Sequence, residues 1–139
     1  MMYGYRTFLM YSKIDIIMEP KEILKIWSQY FNEGNLNSIV NLYDKDSILF
    51  PTFSNQILSD REMIKEYFHK VLIYQKVSVE INFESVSEKK LEENFFLLTG
   101  YYVFNFTKKR KVPARYSFII NLFKDPLIKH HHSSRIPKD

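Results

Sequence analysis

Val112-Pro113-Ala114-Arg115-Tyr116-Ser117-Phe118-Ile119-Ile120-Asn121-Leu122-Phe123 is the stretch that decides the fold of this chain. It is too β-branched and aromatic for a surface helix, and apolar at both parities, so both faces of the strand it forms meet other groups. Phe95 to Phe106 has the same character. Upstream, Val77 to Val86 alternates Val77, Val79, Ile81 and Phe83 against Ser78, Glu80, Asn82 and Glu84, a half-solvated strand followed by a turn-like stretch from Glu88 to Glu93. Downstream, Leu127 to Ser134 forms a last strand, ending in His130-His131-His132-Ser133-Ser134. Short connections between these runs imply an antiparallel meander.

Ahead of residue 75 the period changes. Pro20 suits the first turn of a helix, and Ile23, Ile26, Trp27, Tyr30 and Phe31 recur at helical spacing until Gly34 stops them. Asn35 can cap a second helix through Leu36, Ile39, Val40 and Tyr43, and Ser47 to Phe50 reads as a short strand. Ser59 with Glu62 matches a capping box ahead of Met63, Ile64, Tyr67, Phe68 and Val71. Helices first and strands after give an α+β fold, with three N-terminal helices on the concave face of a curved antiparallel sheet. The apolar centre of the other face suggests a homodimer packed sheet to sheet, with Phe118 and Ile120 in its seam.

Composition bounds the function. A chain of 139 residues, 45% apolar and 17% aromatic, is one domain with an ample core. Residues 19–139 are read as that domain and 1–18 as an N-terminal extension, with Met18 an alternative start. The absence of cysteine excludes disulfides, thiol catalysis and cysteine–zinc sites. Net charge is +4, and its densest clusters, Lys108-Lys109-Arg110-Lys111 and Lys89-Lys90, fall between strand-like runs, where lysines solvate turns and discourage edge pairing. Basic and aromatic residues do not interleave along a face, so no nucleic-acid partner is expected. There is no uncharged apolar run of about eighteen residues and no clean signal peptide, so no membrane partner and a cytoplasmic location are expected.

Trp27 and Phe31, then Gly34-Asn35-Leu36, then Leu42-Tyr43 and Asp46, resemble the signature of the nuclear-transport-factor-2-like superfamily, the cone-shaped fold of SnoaL-like cyclases and ketosteroid isomerases. Thr52-Phe53-Ser54, Ala114 to Phe118, and His131-His132-Ser133-Ser134 with Pro137 are most similar to the calcium/calmodulin-dependent kinase II association-domain branch, over about residues 19–137. Gly100 inside a strand suits such a sheet, marking a bulge or a close backbone approach. The chain departs from its relatives at Lys124-Asp125-Pro126-Leu127, where they carry a Gly-x-Trp turn.

Candidate chemistry centres on Arg115 and the histidines. At period 2, Arg115 shares a face with Ser117 and Ile119, and a guanidinium in an apolar strand needs a carboxylate partner. The resemblance implies that this arginine lines the cone's cavity and receives small carboxylates; the alternative is an internal ion pair with Asp46 or Glu66. His130 and His132 face one way and His131 the other, so the three cannot grip one ion, and no metal or other cofactor is expected. His69, on the third helix, reads as a surface or hinge residue. The ligand-binding set is then Trp27, Tyr30, Phe50, Tyr67, Tyr102, Arg115 and His132: an aromatic, arginine-lined pocket for a small carboxylate or apolar ligand in a non-catalytic binding or oligomerisation domain. The alternative is a SnoaL-like cyclase, isomerase or hydrolase with His131 or His132 as general base. Ketosteroid isomerase chemistry is not expected, because Leu49-Phe50-Pro51-Thr52 lacks the carboxylate base it needs.

Overall fold

The structure, a computed structural model, describes residues 18–123, 125 and 127–138. The expected extension, apart from Met18, lies outside them, as does part of the Lys124–Leu127 turn.

Helix α1 (Pro20–Glu33) starts where Pro20 needs no backbone donor, and the Glu22 carboxylate accepts the Glu19 N–H at 2.9 Å in a capping box. Its buried side, Ile23, Leu24, Trp27 and Phe31, faces the sheet. Gly34 ends it at φ 67°, a left-handed conformation that glycine adopts without penalty. The short α2 (Leu36–Asn41) is capped by Asn35 as expected, but stops before Tyr43. The cause is the Leu42 carbonyl, which accepts the N–H groups of both Leu127 and Ile128 and so turns the chain into the sheet.

Tyr43 therefore opens strand β1 (Tyr43–Phe50), longer than the sequence suggested. Helix α3 (Arg61–Phe68) is capped by Asp60, whose carboxylate accepts the Met63 N–H at 2.9 Å, and not by the expected Ser59, one residue too early. It continues as a π-helical turn, His69–Tyr74, in which His69 packs edge-on against Tyr74 at 5.1 Å.

Strands β2 (Ser78–Glu92), β3 (Phe95–Asn105), β4 (Lys111–Asn121) and β5 (Ile128–Arg135) form the expected antiparallel meander. β2 runs on through the stretch read as a turn, and the reversal falls at Glu93-Asn94, where Asn94 takes a positive φ. The five-stranded sheet has the order β1-β5-β4-β3-β2, and β1 joins it parallel to β5. The sheet is thus mixed and open, an α+β cone with its helices against one face.

That inner face carries Leu98 and Tyr102 from β3, Ala114, Tyr116, Phe118 and Ile120 from β4, and His131 and Ser133 from β5, all buried. Trp27 stacks on Tyr102 at 5.8 Å and meets Phe118 edge-on at 5.5 Å. Phe118 and Ile120 therefore belong to the core. The expectation that they form a dimer seam is corrected, because period 2 gives the outer face to Arg115, Ser117 and Ile119 instead.

Candidate functional site

The interior and the outer face of the sheet carry separate sets of polar groups. Inside, alternation along β5 points His131 and Ser133 at the helices, where they join a hydrogen-bonded chain between α1, β1, β3 and β5. The indole of Trp27 donates to the Tyr43 hydroxyl at 3.0 Å, and that hydroxyl lies 2.8 Å from His131 Nδ1. Because indole can only donate, the Tyr43 oxygen accepts from it and its own proton goes to Nδ1. His131 then carries its proton on Nε2, which donates to the Tyr102 hydroxyl at 3.0 Å. Tyr102 donates onward to Ser133 Oγ at 2.5 Å, and Ser133 meets the Thr52 hydroxyl. From Trp27 to Ser133 the chain has one direction, and both nitrogens of His131 are used.

Burial holds this chain neutral. His131, stacked on Phe118 at 3.8 Å, is pushed well below the ordinary imidazole range by desolvation first and the charges of His130 and His132 second. The Tyr43 and Tyr102 hydroxyls are raised well above the usual range by the same desolvation, which their hydrogen bonds with Trp27 and Ser133 only partly offset. Tyr67 is raised too, by burial, and its hydroxyl meets the Phe53 N–H at 3.4 Å. Between Trp27, Tyr67, Tyr102 and His131 about 10 Å3 is left for the centre of a water-sized sphere, roughly the room one water needs. Among the described residues, this part of the cone's interior is nearly filled by its own side chains.

Of the seven residues read as one ligand pocket, Trp27, Tyr67 and Tyr102 come together here. Tyr30 is half-buried at the edge of the core. Arg115 and His132 are exposed on the opposite face of the sheet, so the expected arginine floor of the cone is corrected by strand alternation. They line an open cleft of about 460 Å3 with Ser117, Ser134, Thr99 and Tyr101. Neither Asp46, which is exposed, nor Glu66 pairs with Arg115; a part-buried ion pair instead joins Lys129 to Asp44 at 2.8 Å, tying β5 to β1. Phe50 is half-buried and stacks on His132 at 4.8 Å. His130 is lowered by partial burial first and the His132 charge second.

Sequence reading missed Tyr43, Thr52 and Ser133 as members of the polar chain. The signal was present: the inward parity of β5 that takes His131 also takes Ser133, and Leu42-Tyr43 and Thr52-Phe53-Ser54 had stood out as family marks. Among the described residues, no three His, Cys, Asp or Glu side chains are placed to hold a metal ion, and no helix is long and apolar enough to cross a membrane.

A model of the calcium/calmodulin dependent protein kinase II association domain matches residues 18–137. Among solved structures, a protein of Xanthomonas campestris described as such an association domain is 30% identical, with a TM-score of 0.76 over 92% of this chain and 95% of that one. A cystatin-like fold from Caulobacter vibrioides aligns at 9% identity and a TM-score of 0.72, covering 86% and 88% of the two chains. An epoxide hydrolase/cyclase-like enzyme of pyran ring formation aligns at 15% identity and 0.63, covering 84% and 89%; at these identities the likeness is one of fold. No curated protein matches the chain.

Proposed function

Because the chain belongs to the calcium/calmodulin dependent protein kinase II association domain family, we propose that it is a non-catalytic association domain, self-assembling through the outer face of its sheet. The observation that carries this reading is the composition of that face. Among the described residues no element covers it, yet Leu97, Val103 and Ile119 stand half-exposed in its middle, with Tyr101 50% exposed beside them. In register, Leu97 lies opposite Ile119, so the apolar positions are contiguous across two strands, with the His130 imidazole opposite Ile119 on the third. A flat apolar strip ringed by Arg115, Ser117, His132 and Ser134 is the kind of surface a two-fold copy can cover.

In this assembly the Arg115 cleft lies at the seam. A guanidinium desolvated there gains from a carboxylate, supplied by the second copy or by a small bound acid, and this is the place for the ligand that the sequence assigned to the cone's interior. The filled interior and the doubly bonded His131 count against His131 as the base of a SnoaL-like enzyme, and His132 stands in the open outer cleft stacked on Phe50, a position better suited to a seam than to an enclosed reaction chamber.

Substituting Ile119 by Glu tests the proposal. The expected result is a fall from dimer mass to monomer mass in sedimentation or light scattering, with the far-ultraviolet circular dichroism unchanged. A wild-type chain that is monomeric at tens of micromolar, or an Ile119→Glu variant that stays dimeric, overturns it.

A further inference from the structure

At the end of the sheet where β5 finishes, three segments distant in sequence meet around a second polar cleft of about 460 Å3. Arg135, the last residue of β5, forms one wall. Arg110, closing the β3–β4 turn, forms another, and the loop after β1 brings Phe53, Ser54 and Asn55. Among the described residues no acidic side chain lines the cleft, and the Lys129–Asp44 pair involves neither arginine.

The cleft is organised. The Phe106 N–H donates to the Arg110 carbonyl at 2.9 Å, closing a turn in which Lys109 takes φ 61°. The Arg110 guanidinium lies 4.6 Å over the Phe106 ring, so an aromatic face sets its position. Phe106 in turn meets Phe53 edge-on at 5.2 Å, and Phe53 meets Phe104 at 5.1 Å, rooting the floor in the core. The Ser54 oxygen accepts the Gln56 N–H at 3.1 Å, which leaves its hydroxyl proton to donate into the cleft. Two guanidinium groups, neutral donors and an apolar floor are thus gathered, with no counter-charge among the described residues.

We propose that this cleft binds a phosphate monoester with a flat apolar body, the phosphate held by Arg110 and Arg135 and the body laid on Phe53 and Phe106. Charge selects phosphate over carboxylate. A monoester carries about −1.5 to −2 near pH 7 and three acceptor oxygens, enough for two guanidinium forks, whereas a carboxylate answers one. A volume of this order is in the range of small-ligand sites, roughly 300–1,000 Å3. The cleft is separate from the outer-face seam, so the inference goes beyond the association reading and stands or falls apart from it.

Phenyl phosphate is the probe, followed through backbone amide shifts in the full chain at low salt. Saturable shifts are expected at Phe53, Ser54, Asn55 and the Phe106–Arg110 turn, with inorganic phosphate at least about fivefold weaker. Arg110→Gln and Arg135→Gln should each weaken binding about tenfold, as loss of a charge-assisted pair does, at unchanged melting temperature. Arg115→Gln, on the other face, should leave those shifts and their midpoint as they were. The absence of saturable shifts up to about 10 mM, equal affinity for inorganic phosphate, or indifference to both Gln substitutions overturns the proposal. Any of these results leaves the dimer measurement untouched.

Discussion

His131 shows how a titratable residue is made inert in a cone of aromatic side chains. Both its nitrogens are spent and desolvation depresses its basicity, so the unfolded chain binds a proton at pH values where the folded chain refuses it. Stability is then complete above the ordinary imidazole pKa of 6.5 and falls as pH drops below it, by up to about 1.4 kcal/mol per pH unit for this residue. His130, lowered in the same direction, adds to the slope. Urea midpoints measured from pH 7.5 to 5 should therefore decline, and His131→Gln, which can still donate and accept, should flatten the decline. An unchanged slope would remove His131 as its source. Gly100 carries a second residue-scale prediction. A methyl group there would sit 2.6 Å from the Tyr116 hydroxyl oxygen and 3.0 Å from Ser85 Oγ. Gly100→Ala should cost about 1–3 kcal/mol. The Tyr116 hydroxyl has no hydrogen-bond partner among the described residues and is pushed up to about 12 by burial. Tyr116→Phe should accordingly be near neutral alone and relieve part of the Gly100→Ala cost. Strictly additive losses in chemical denaturation would show that the close approach is not the cause.

Among the elements, α1 and β2 are clamped near their ends by the side chain of Asn32. The Asn32 amide donates to the Val79 carbonyl at 2.9 Å and accepts the Val79 N–H at 2.7 Å, imitating a neighbouring strand. Asn32→Ala should cost about 1–3 kcal/mol in urea denaturation, since it leaves both backbone groups partly buried and unmatched; a loss below about 0.5 kcal/mol would mean that water replaces the clamp. This contact also marks where sequence reading stops. Helix α1 and the meander were legible because their apolar residues repeat at 3.6 and 2, and periodicity is a local property. The Asn32 clamp, the parallel pairing of β1 with β5 and the Asp44–Lys129 pair join residues 47 to 85 positions apart and leave no periodic trace. Arg115 lies between these cases. Alternation grouped it correctly with Ser117 and Ile119, but period 2 does not say which face the helices cover. The polarity of Arg115 and Ser117 against Ala114, Tyr116 and Phe118 carries that answer, whereas the family resemblance implies the opposite face for the arginine.

For the whole molecule, a dimer seam made from the sheet's outer face links stability to concentration. Melting temperature should rise with protein concentration in the native chain and stop doing so in Ile119→Glu, which extends the mass measurement to the folding equilibrium. The parallel strand pair bears on how the molecule is first made. Tyr43 and the strand it opens leave the ribosome well before their neighbour in the sheet, Ile128–Arg135, and β2, β3 and β4 are all made between them. Until then the edge of β1 that β5 will take is open, the bridge between Leu49 and Leu58 being on the other edge, and the Tyr43 hydroxyl waits for His131. The domain therefore cannot close around a nascent chain as it grows. Its helices can pair early, but the cone is completed in one late step, and a ribosome stalled before β5 would hold a half-built sheet with an adhesive margin.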